Sequence, residues 1–253
     1  MSKERIEKNN ENPSQPRPAD ARSDRPIAIA CANQKGGVGK TTTAVHLAVA
    51  LRRAGHQVQL VDLDPQRNAQ LCLSGDAKTG ERSGGTLPTW TQEPCTEAEV
   101  WIPRAAGGSL EDLDASPADY RIIDCPPSLD GWTRHALEQA HHVLIPLQCE
   151  FLAMEGLARI LARVAALANR PSSRPAQVHV LPVMLEADSR IHQDILEELS
   201  THLPTQTCTS WVPRDPLFSE AASFGLSLFK YNVRSFGTRS YAKLAREVRD
   251  GWT

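Results

Sequence analysis

The stretch "NQKGGVGKTTT", residues 33–43, decides the fold class because it joins three closely spaced glycines to a lysine that is followed by threonines. The standard phosphate-binding pattern, G-x-x-x-x-G-K-[ST], would begin with a glycine five residues before Gly39. That position holds Gln34, and an additional lysine, Lys35, comes directly after it. The loop therefore keeps the end of the pattern, loses its first glycine and gains a second cation.

The sequence on either side of this loop predicts a strand, "PIAIACANQ", and a helix, "KTTTAVHLAVALRRAG". A loop between a strand and a helix directs backbone N–H groups and the helix N-terminus toward an anion, and glycines let that anion approach closely. Lys40 would neutralise the β and γ phosphates, Thr41 would complete a Mg²⁺ shell, and Thr42 would contact the α phosphate. A glycine-rich turn before an ordinary helix is the simpler alternative, which this context disfavours. The predicted nucleotide-binding residues here are Gly36, Gly37, Val38, Gly39, Lys40, Thr41 and Thr42.

The rest of the chain alternates short aliphatic runs with longer amphipathic stretches. Further strands are predicted at "QVQLVDLD", "YRIIDCPP", "HVLIPLQ" and "QVHVLPVML", and helices at "GWTRHALEQA", "AMEGLARILARVAALANR" and "ADSRIHQDILEELSTHL". Continuous apolar strands separated by helices indicate a parallel sheet that is covered on both faces. The sequence thus predicts an α/β protein with a single-domain P-loop NTPase fold, a mostly parallel twisted sheet and helices on both faces.

Composition sets the boundaries of this domain. Met1 to Arg25 mixes both charge signs with Pro, Asn and Ser and has almost no apolar residues, which predicts a disordered tail before a domain at 26–253. Within that domain, Ser74 to Asp119 is rich in Gly, Ser, Thr and Pro, and only "VWIP" resembles a strand. The 253 residues, 40% of them hydrophobic, favour one full α/β core over two small domains.

Several classes of protein are disfavoured by composition. No apolar run is long enough to span a bilayer, and the N-terminus is too charged for a secretory signal, which predicts a cytosolic protein without a membrane partner. Six scattered cysteines without a CxxC pair suit reduced core thiols better than disulfides or a zinc site. The formal net charge of −2 means that any contact with nucleic acid needs a local basic patch.

Three aspartates end predicted strands. Asp62 and Asp64 end the second strand in "LVDLDPQ", and alternation places both carboxylates on one side of it. Asp124 ends "YRIID" in the same way and is typical of an acid that contacts Mg²⁺ through water. In α/β sheets, ligands bind at the carboxyl edge, where all three residues are expected. Carboxylates that merely cap the next turn are the alternative for Asp62 and Asp64.

The motif KGGVGKTT resembles the deviant phosphate-binding loop of the ParA/MinD class of P-loop ATPases. Five sequence segments, in this order along the chain, resemble ParA/Soj partition ATPases in particular: "ANQKGGVGKTTTAVHLA", "VDLDPQRNAQ", "IIDCPPSLDG", "VLIPLQCEFLAMEGL" and "VPRDPLFSEAASFG". The resemblance runs from about Pro26 to Val248. It implies Mg²⁺-dependent ATP hydrolysis with slow intrinsic turnover, in an ATP-bound homodimer where Lys35 reaches the partner's nucleotide. Such a cation in trans stabilises charge on the transferring phosphoryl group.

The resemblance also implies roles for residues outside the loop. Asp64 would orient the attacking water and Asp62 would support the metal shell, while Pro213, Arg214 and Asp215 would border the adenine. The chain departs from the family at Arg67, where glycine is usual, and at Asp215, where asparagine is more frequent. The segment from Ser74 to Asp119 is shorter than in most chromosomal ParA proteins, which bears on partner contacts and not on ATP binding.

The C-terminal stretch "SFGTRSYAKLAREVRDGW" predicts a helix with an apolar arc, packed on the sheet, and a basic opposite face. A membrane anchor, as in MinD-like relatives, would instead carry a large exposed apolar face. ParA-like proteins bind DNA without sequence preference through such basic surfaces, and phosphate contact needs charge alone. A solvated helix face is the alternative for each residue. The predicted DNA-binding residues are Arg190, Arg234, Arg239, Lys243 and Arg246.

The leading hypothesis is therefore a bacterial, cytoplasmic, nucleoid-associated partition ATPase, released from double-stranded DNA when a ParB-like protein stimulates hydrolysis. The alternative within the same class is an orphan ParA-like ATPase that positions a protein cargo or regulates replication initiation. An electron-transfer ATPase like the nitrogenase iron protein would need cysteines placed for a shared cluster, and Cys125 has no suitable second cysteine nearby. A metabolic ligase or kinase would need a pocket for a second substrate. Outside the predicted nucleotide site, the sequence has no group of histidines or paired acids that indicates one.

Overall fold

The computed structural model describes residues 25–74, 86–87, 90–95, 97–103, 109–128, 131–150, 153–168, 176–186 and 188–252. Within these ranges the chain forms one eight-stranded sheet with helices on both faces. The predicted α/β class and the mostly parallel sheet are confirmed. The predicted tail, Met1 to Arg25, lies outside the described residues except for Arg25.

The strands are β1 Ile27–Cys31, β2 Val58–Asp62, β3 Thr86–Leu87, β4 Trp90–Pro94, β5 Glu99–Pro103, β6 Tyr120–Asp124, β7 His142–Gln148 and β8 Gln177–Val183. Their order across the sheet is β3-β4-β5-β2-β6-β1-β7-β8. The six strands from β5 to β8 in that order are parallel, whereas β3 and β4 pair in the antiparallel sense at one edge. Strand β1 therefore lies inside the parallel part of the sheet, between β6 and β7.

The helices are α1 Lys40–Arg53, α2 Asn68–Leu73, α3 Trp132–Gln139, α4 Ala153–Ala168, α5 Arg190–His202, α6 Leu217–Ser223, α7 Leu228–Tyr231 and α8 Phe236–Gly251, with a 3-10 helix at Leu110–Ala115. Successive residues of β1 enter two separate cores. Ile29 and Cys31 pack in a cluster with α1 and α8, while Ala30 packs in a cluster with α3, α4 and α5. Helices α5 and α8 consequently lie on opposite faces of the sheet.

The segment from Ser74 to Asp119 contains more strand than predicted. The expected "VWIP" strand is part of β5, but β3 and β4 extend the sheet beyond it. The sequence of β4, "WTQEP", lacks a regular apolar alternation and contains a proline, which is tolerated near the edge of a sheet. Its strand character comes from pairing with β5, a contact that local composition does not reveal.

Helix α8 packs as its sequence predicts. The apolar arc is buried and consists of Tyr241, Leu244, Ala245, Val248 and Trp252. Tyr241 also ties α8 to the first turn of α1, since its hydroxyl lies 3.0 Å from that of Thr43. In the described part of the chain, no helix is both long and apolar enough to cross a bilayer.

The start of α8 gives a stability prediction at Gly237. A Cβ atom there would lie 2.6 Å from Cζ of Phe218 and 2.8 Å from Cδ1 of Leu228. Gly237→Ala is therefore expected to lower the free energy of unfolding by about 1–3 kcal/mol through overpacking. Gly156→Ala in α4 is the matched control, because a Cβ atom there meets nothing within 4 Å. Urea unfolding measures both, and equal effects in the two variants would contradict the packing argument.

Candidate nucleotide-binding site

The glycine-rich loop leaves β1 at the carboxyl edge of the sheet, between two parallel neighbours, where α/β proteins bind ligands. Gly37 and Gly39 have φ angles of 76° and 80°, a left-handed conformation that glycine adopts without steric cost. Gly39 is also the N-cap of α1. It has no side chain that could accept from the first N–H groups of the helix, so these groups are available to a ligand. The loop thus offers backbone donors and a helix dipole to an anion.

Asn33 anchors the loop to the strand beside it. Its side-chain amide donates to the carbonyl of Pro146 at 2.8 Å, and its Oδ1 accepts from the N–H of Lys35 at 3.0 Å. Both contacts fix the point where the chain leaves β1. No role was predicted for Asn33, although an amide directly after a predicted strand, at the start of the loop, is a signal for such an anchor.

Lys40 lies inside the loop. The side chain is buried, and Nζ donates to the carbonyl oxygen of Lys35 at 3.1 Å. Burial lowers the pKa of Lys40, and the negative charges of Asp124 and Asp64 oppose that shift. The ammonium group is therefore held where an anion in the loop would meet it.

The side chain of Lys35 is exposed, in contrast to that of Lys40. Its side chain is 55% exposed and forms an ion pair with Glu150, which follows β7 and is itself 48% exposed. The two lysines of one short loop thus have opposite placements. No role was predicted for Glu150, whose only signal in the sequence is its position just past the carboxyl end of a predicted strand.

Asp124 is a buried carboxyl group with Thr41 and Lys40 nearby. Both of its carboxylate oxygens are fully buried and make no hydrogen bond of ordinary geometry to the described residues. Burial and the charge of Asp62 raise the pKa of Asp124 to about 8, while the nearby Thr41 hydroxyl and Lys40 ammonium oppose the rise. A buried carboxylate without partners is costly unless a cation or donor satisfies it. The group therefore fits a divalent cation held together with Thr41.

Asp62 shapes the loop after β2. Its Oδ1 accepts from the N–H of Asp64 at 3.1 Å, and its Oδ2 accepts from the N–H groups of Ala69 and Gln70 at 3.0 and 3.3 Å. Burial raises the pKa of Asp62 to about 6, and these hydrogen bonds oppose the rise. Three backbone contacts make Asp62 a positioning residue for the loop, and its contribution to a metal shell remains a prediction.

Asp64 follows in that loop and is half-buried. Its Oδ1 accepts from the N–H of Gln66 at 2.9 Å, and its carbonyl accepts from the N–H of Arg67 at 2.9 Å. In the sheet, Asp62 is paired in register with Asp124 on β6. The structure therefore brings the three predicted acids to one edge, next to the loop that holds Lys40.

Arg67 adopts a backbone conformation that disfavours arginine. Its φ is 54° at the N-cap of α2, in the left-handed region where a residue with a Cβ is strained by about 1–2 kcal/mol. Arg67→Gly is expected to raise the free energy of unfolding by about 0.5 kcal/mol, since glycine removes the strain but makes the unfolded chain more flexible. Arg67→Ala keeps the strain and should give no gain. Thermal unfolding compares the two, and a gain in the alanine variant alone would contradict the argument.

Two of the predicted adenine-bordering residues, Pro213 and Arg214, contact the segment that follows β8. Pro213 bridges to Leu185, which follows β8, and the N–H of Arg214 donates to the carbonyl of Leu185 at 2.9 Å. Arg214 also pairs with Glu186, and Asp215 accepts from the N–H of Leu217 at the start of α6. Met184, which follows β8 directly, has its methyl group 3.9 Å from where a Cβ on Gly39 would be.

The predicted DNA-binding residues do not form one surface. Arg234, Arg239, Lys243 and Arg246 lie in or just before α8 and are exposed. Arg239 stacks over the Phe236 ring at 4.3 Å, and Lys243 donates to the carbonyl of Thr209 at 3.0 Å. The structure separates Arg190 from these four, because α5 packs on the opposite face of the sheet from α8.

Comparisons with known proteins agree with this geometry. Residues 29–228 match the family described as CobQ/CobB/MinD/ParA nucleotide binding domain. The chain is 33% identical over 248 residues to the chromosome partitioning protein ParA of Caulobacter vibrioides, covering 87% of this chain and 92% of that protein. It is 35% identical to the chromosome-partitioning ATPase Soj of Thermus thermophilus, covering 87% of this chain and 94% of the relative.

A solved structure shows the same fold. The crystal structure of cobyrinic acid a,c-diamide synthase from Mycobacterium smegmatis, with bound ADP and magnesium, superimposes with a TM-score of 0.69 at 26% identity. The match covers 90% of this chain and 96% of that one. Together with the loop at β1 and the acids at β2 and β6, these similarities establish that the chain belongs to the CobQ/CobB/MinD/ParA nucleotide-binding family.

Proposed function

We propose that the protein is a DNA-partition ATPase that binds ATP and Mg²⁺ and acts as an ATP-dependent homodimer. The observation that carries the proposal is the opposite placement of the two lysines, with Lys40 buried inside the loop and Lys35 exposed beside it. One chain uses one lysine for its own nucleotide. The second lysine, Lys35, would reach the nucleotide of a second copy after its ion pair with Glu150 breaks.

The nucleotide would lie in the loop, with its phosphates on the N–H groups of Gly36, Gly37, Val38 and Gly39, on Lys40, and on Thr41 and Thr42. Thr41 and Asp124 would hold Mg²⁺, with Asp62 supporting them through the loop after β2. When bound, this ion neutralises phosphate charge. Mg²⁺ would bind the charged form of Asp124, whose pKa is raised by burial and by the charge of Asp62.

Hydrolysis would depend on two further side chains. Asp64, in the loop that Asp62 holds, orients the attacking water, and Lys35 of each copy stabilises charge on the nucleotide of the other. Coupling Lys35 to dimerisation makes a lone chain slow at hydrolysis. Pro213, Arg214 and Asp215 would border the adenine, since their segment packs against the end of β8 near Gly39.

The dimer would bind double-stranded DNA without sequence preference through Arg234, Arg239, Lys243 and Arg246, in the bacterial cytoplasm. Arg190 would contribute only if DNA reaches the other face of the sheet. A ParB-like protein would stimulate hydrolysis and release. Support comes from the exposure of these cations and from relatives whose names state chromosome partitioning.

A second candidate is an amide-forming ligase, because a solved structure similar to this chain is a cobyrinic acid a,c-diamide synthase. The identity to that enzyme is 26%, whereas the ParA and Soj relatives reach 33% and 35% over 87% of the chain. Partition is therefore the stronger proposal. A ParA-like ATPase that positions a protein cargo would share the nucleotide chemistry and differ in its surface.

The test is co-sedimentation of the full chain with non-specific duplex DNA at fixed salt, in ATP, in ADP and without nucleotide. We expect binding that requires ATP, is lost in Lys35→Ala and persists in Asp64→Ala. ATP-dependent dimers without DNA binding in any nucleotide would favour the cargo-positioning alternative. Absence of both dimers and DNA binding would contradict the proposal.

A further inference from the structure

A groove of about 360 Å³ is lined by residues from the C-terminal half of α1, from α7 and the loop after it, and from α8. It lies some ten residues along α1 from the nucleotide loop, about 15 Å at 1.5 Å per residue, and is therefore separate from that site. Its floor is built from small or apolar side chains: Ala50, Ala54, Phe229, Val233, Ala242 and Ala245. Val233 is 57% exposed, so part of this apolar surface faces solvent.

The rim of the groove is strongly basic. Four arginines line it, and no acidic residue of the described part of the chain does: Arg53, Arg239, Arg246 and Arg249. Of the two acids of α8, Glu247 is engaged away from the groove, since it accepts from the N–H groups of Thr209 and Ser210. Asp250 pairs with Arg249 and offsets its charge, which leaves Arg53, Arg239 and Arg246 as the excess positive charge along the groove.

An alanine floor with an arginine rim fits one class of partner particularly well. Small side chains on two neighbouring helices let a third helix approach closely, as in helix-in-groove recognition. Arginine is enriched at protein interfaces, where its planar group pairs with carboxylates. We propose that this groove binds an acidic amphipathic helix of a partner protein, with apolar side chains on the floor and carboxylates on the arginines.

Duplex DNA is the competing occupant. Phosphate contact requires charge but gains nothing from an apolar floor, so DNA would leave the exposed Val233 surface uncovered. A helix would bury it and obtain the hydrophobic contribution. The groove site does not depend on ATP. It shares Arg239 and Arg246 with the proposed DNA surface, so a bound helix and DNA would compete.

The test uses the full chain and a labelled, capped peptide of about 15 residues, or four helical turns. The peptide carries leucines at i, i+3, i+4 and i+7, flanked by glutamates. Fluorescence anisotropy is expected to show saturable binding that weakens with salt. Arg53→Glu should weaken it by about tenfold, which corresponds to about 1.4 kcal/mol.

The matched control is Arg52→Glu, which makes the same charge change in the same last turn of α1 at a residue that does not line the groove. We expect Arg52→Glu to change the peptide affinity by less than about threefold, as for an exposed charge that makes no direct contact with the ligand. Val233→Asp should also reduce peptide binding, because it places a charge on the apolar floor of the groove. If Arg53→Glu fails to fold by circular dichroism, Arg53→Gln provides the comparison.

Three results would overturn the proposal. These are absence of binding to the wild type, equal losses in Arg53→Glu and Arg52→Glu, or equal affinity for a peptide with lysines in place of glutamates. A contrast between those two variants for duplex DNA but not for the peptide would assign the groove to DNA instead. Because the assay needs no nucleotide, failure here leaves the ATP-dependent DNA test unaffected, and the reverse also holds.

Discussion

Lys40→Ala is expected to weaken ATP binding by at least about 100-fold, the size of loss that follows when a buried, hydrogen-bonded charge partner is removed. The ammonium group of Lys40 is buried within the loop and opposes the charge of Asp124 and Asp64. Without it, a triphosphate would meet two acids and only backbone donors. Equilibrium titration with a fluorescent ATP analogue in the presence of Mg²⁺ measures the change.

Lys35→Ala is the matched control for this prediction, because it removes the same charge from the same loop. Its side chain is exposed and pairs with Glu150, whereas that of Lys40 is buried. We expect the variant to bind ATP within about threefold of the wild type, as for a surface charge. Comparable losses of affinity in the two variants would contradict the distinct placement of the two lysines.

Asp64→Ala is expected to lower the rate of ATP hydrolysis by about 100-fold or more, the usual range for loss of a group that handles the attacking water. Binding of ATP should remain near wild type, because the loop is still held by the three N–H contacts of Asp62. Single-turnover phosphate release measures the rate, and nucleotide titration measures the binding.

A second substitution separates chemistry from loop structure. Asp64→Asn keeps an oxygen that accepts from the N–H of Gln66 but loses the negative charge. If hydrolysis depends on the carboxylate, both variants should be equally slow. If the asparagine variant hydrolyses ATP at the wild-type rate, Asp64 acts through loop geometry and the catalytic role is wrong.

The nucleotide loop could be predicted from sequence because its signals are local. The spacing of the glycines placed the start of α1 at Lys40, and the apolar run His142–Gln148 matches β7 residue for residue. The aspartates at the ends of β2 and β6 were expected at one edge because parallel strands align there, and Asp62 lies opposite Asp124. Periodicity and strand direction were sufficient for these placements.

Features that depend on contacts between distant segments could not be predicted in this way. Glu150, the partner of Lys35, is 115 positions away along the chain. Strand β4 is a strand through its pairing with β5, and Arg53 meets the arginines of α8 only after the two helices pack. The separation of Arg190 from α8 likewise depends on which face each crossover helix covers, which composition does not encode.

The ion pair between Lys35 and Glu150 has a consequence for the concentration at which chains would pair. An exposed pair contributes about 0.2–1 kcal/mol, and a symmetric dimer that uses both copies of Lys35 must break two of them. The cost of about 0.4–2 kcal/mol weakens dimerisation by about twofold to thirtyfold relative to an unrestrained lysine. Glu150 would thereby raise the protein concentration that is needed before two copies contact each other's nucleotides.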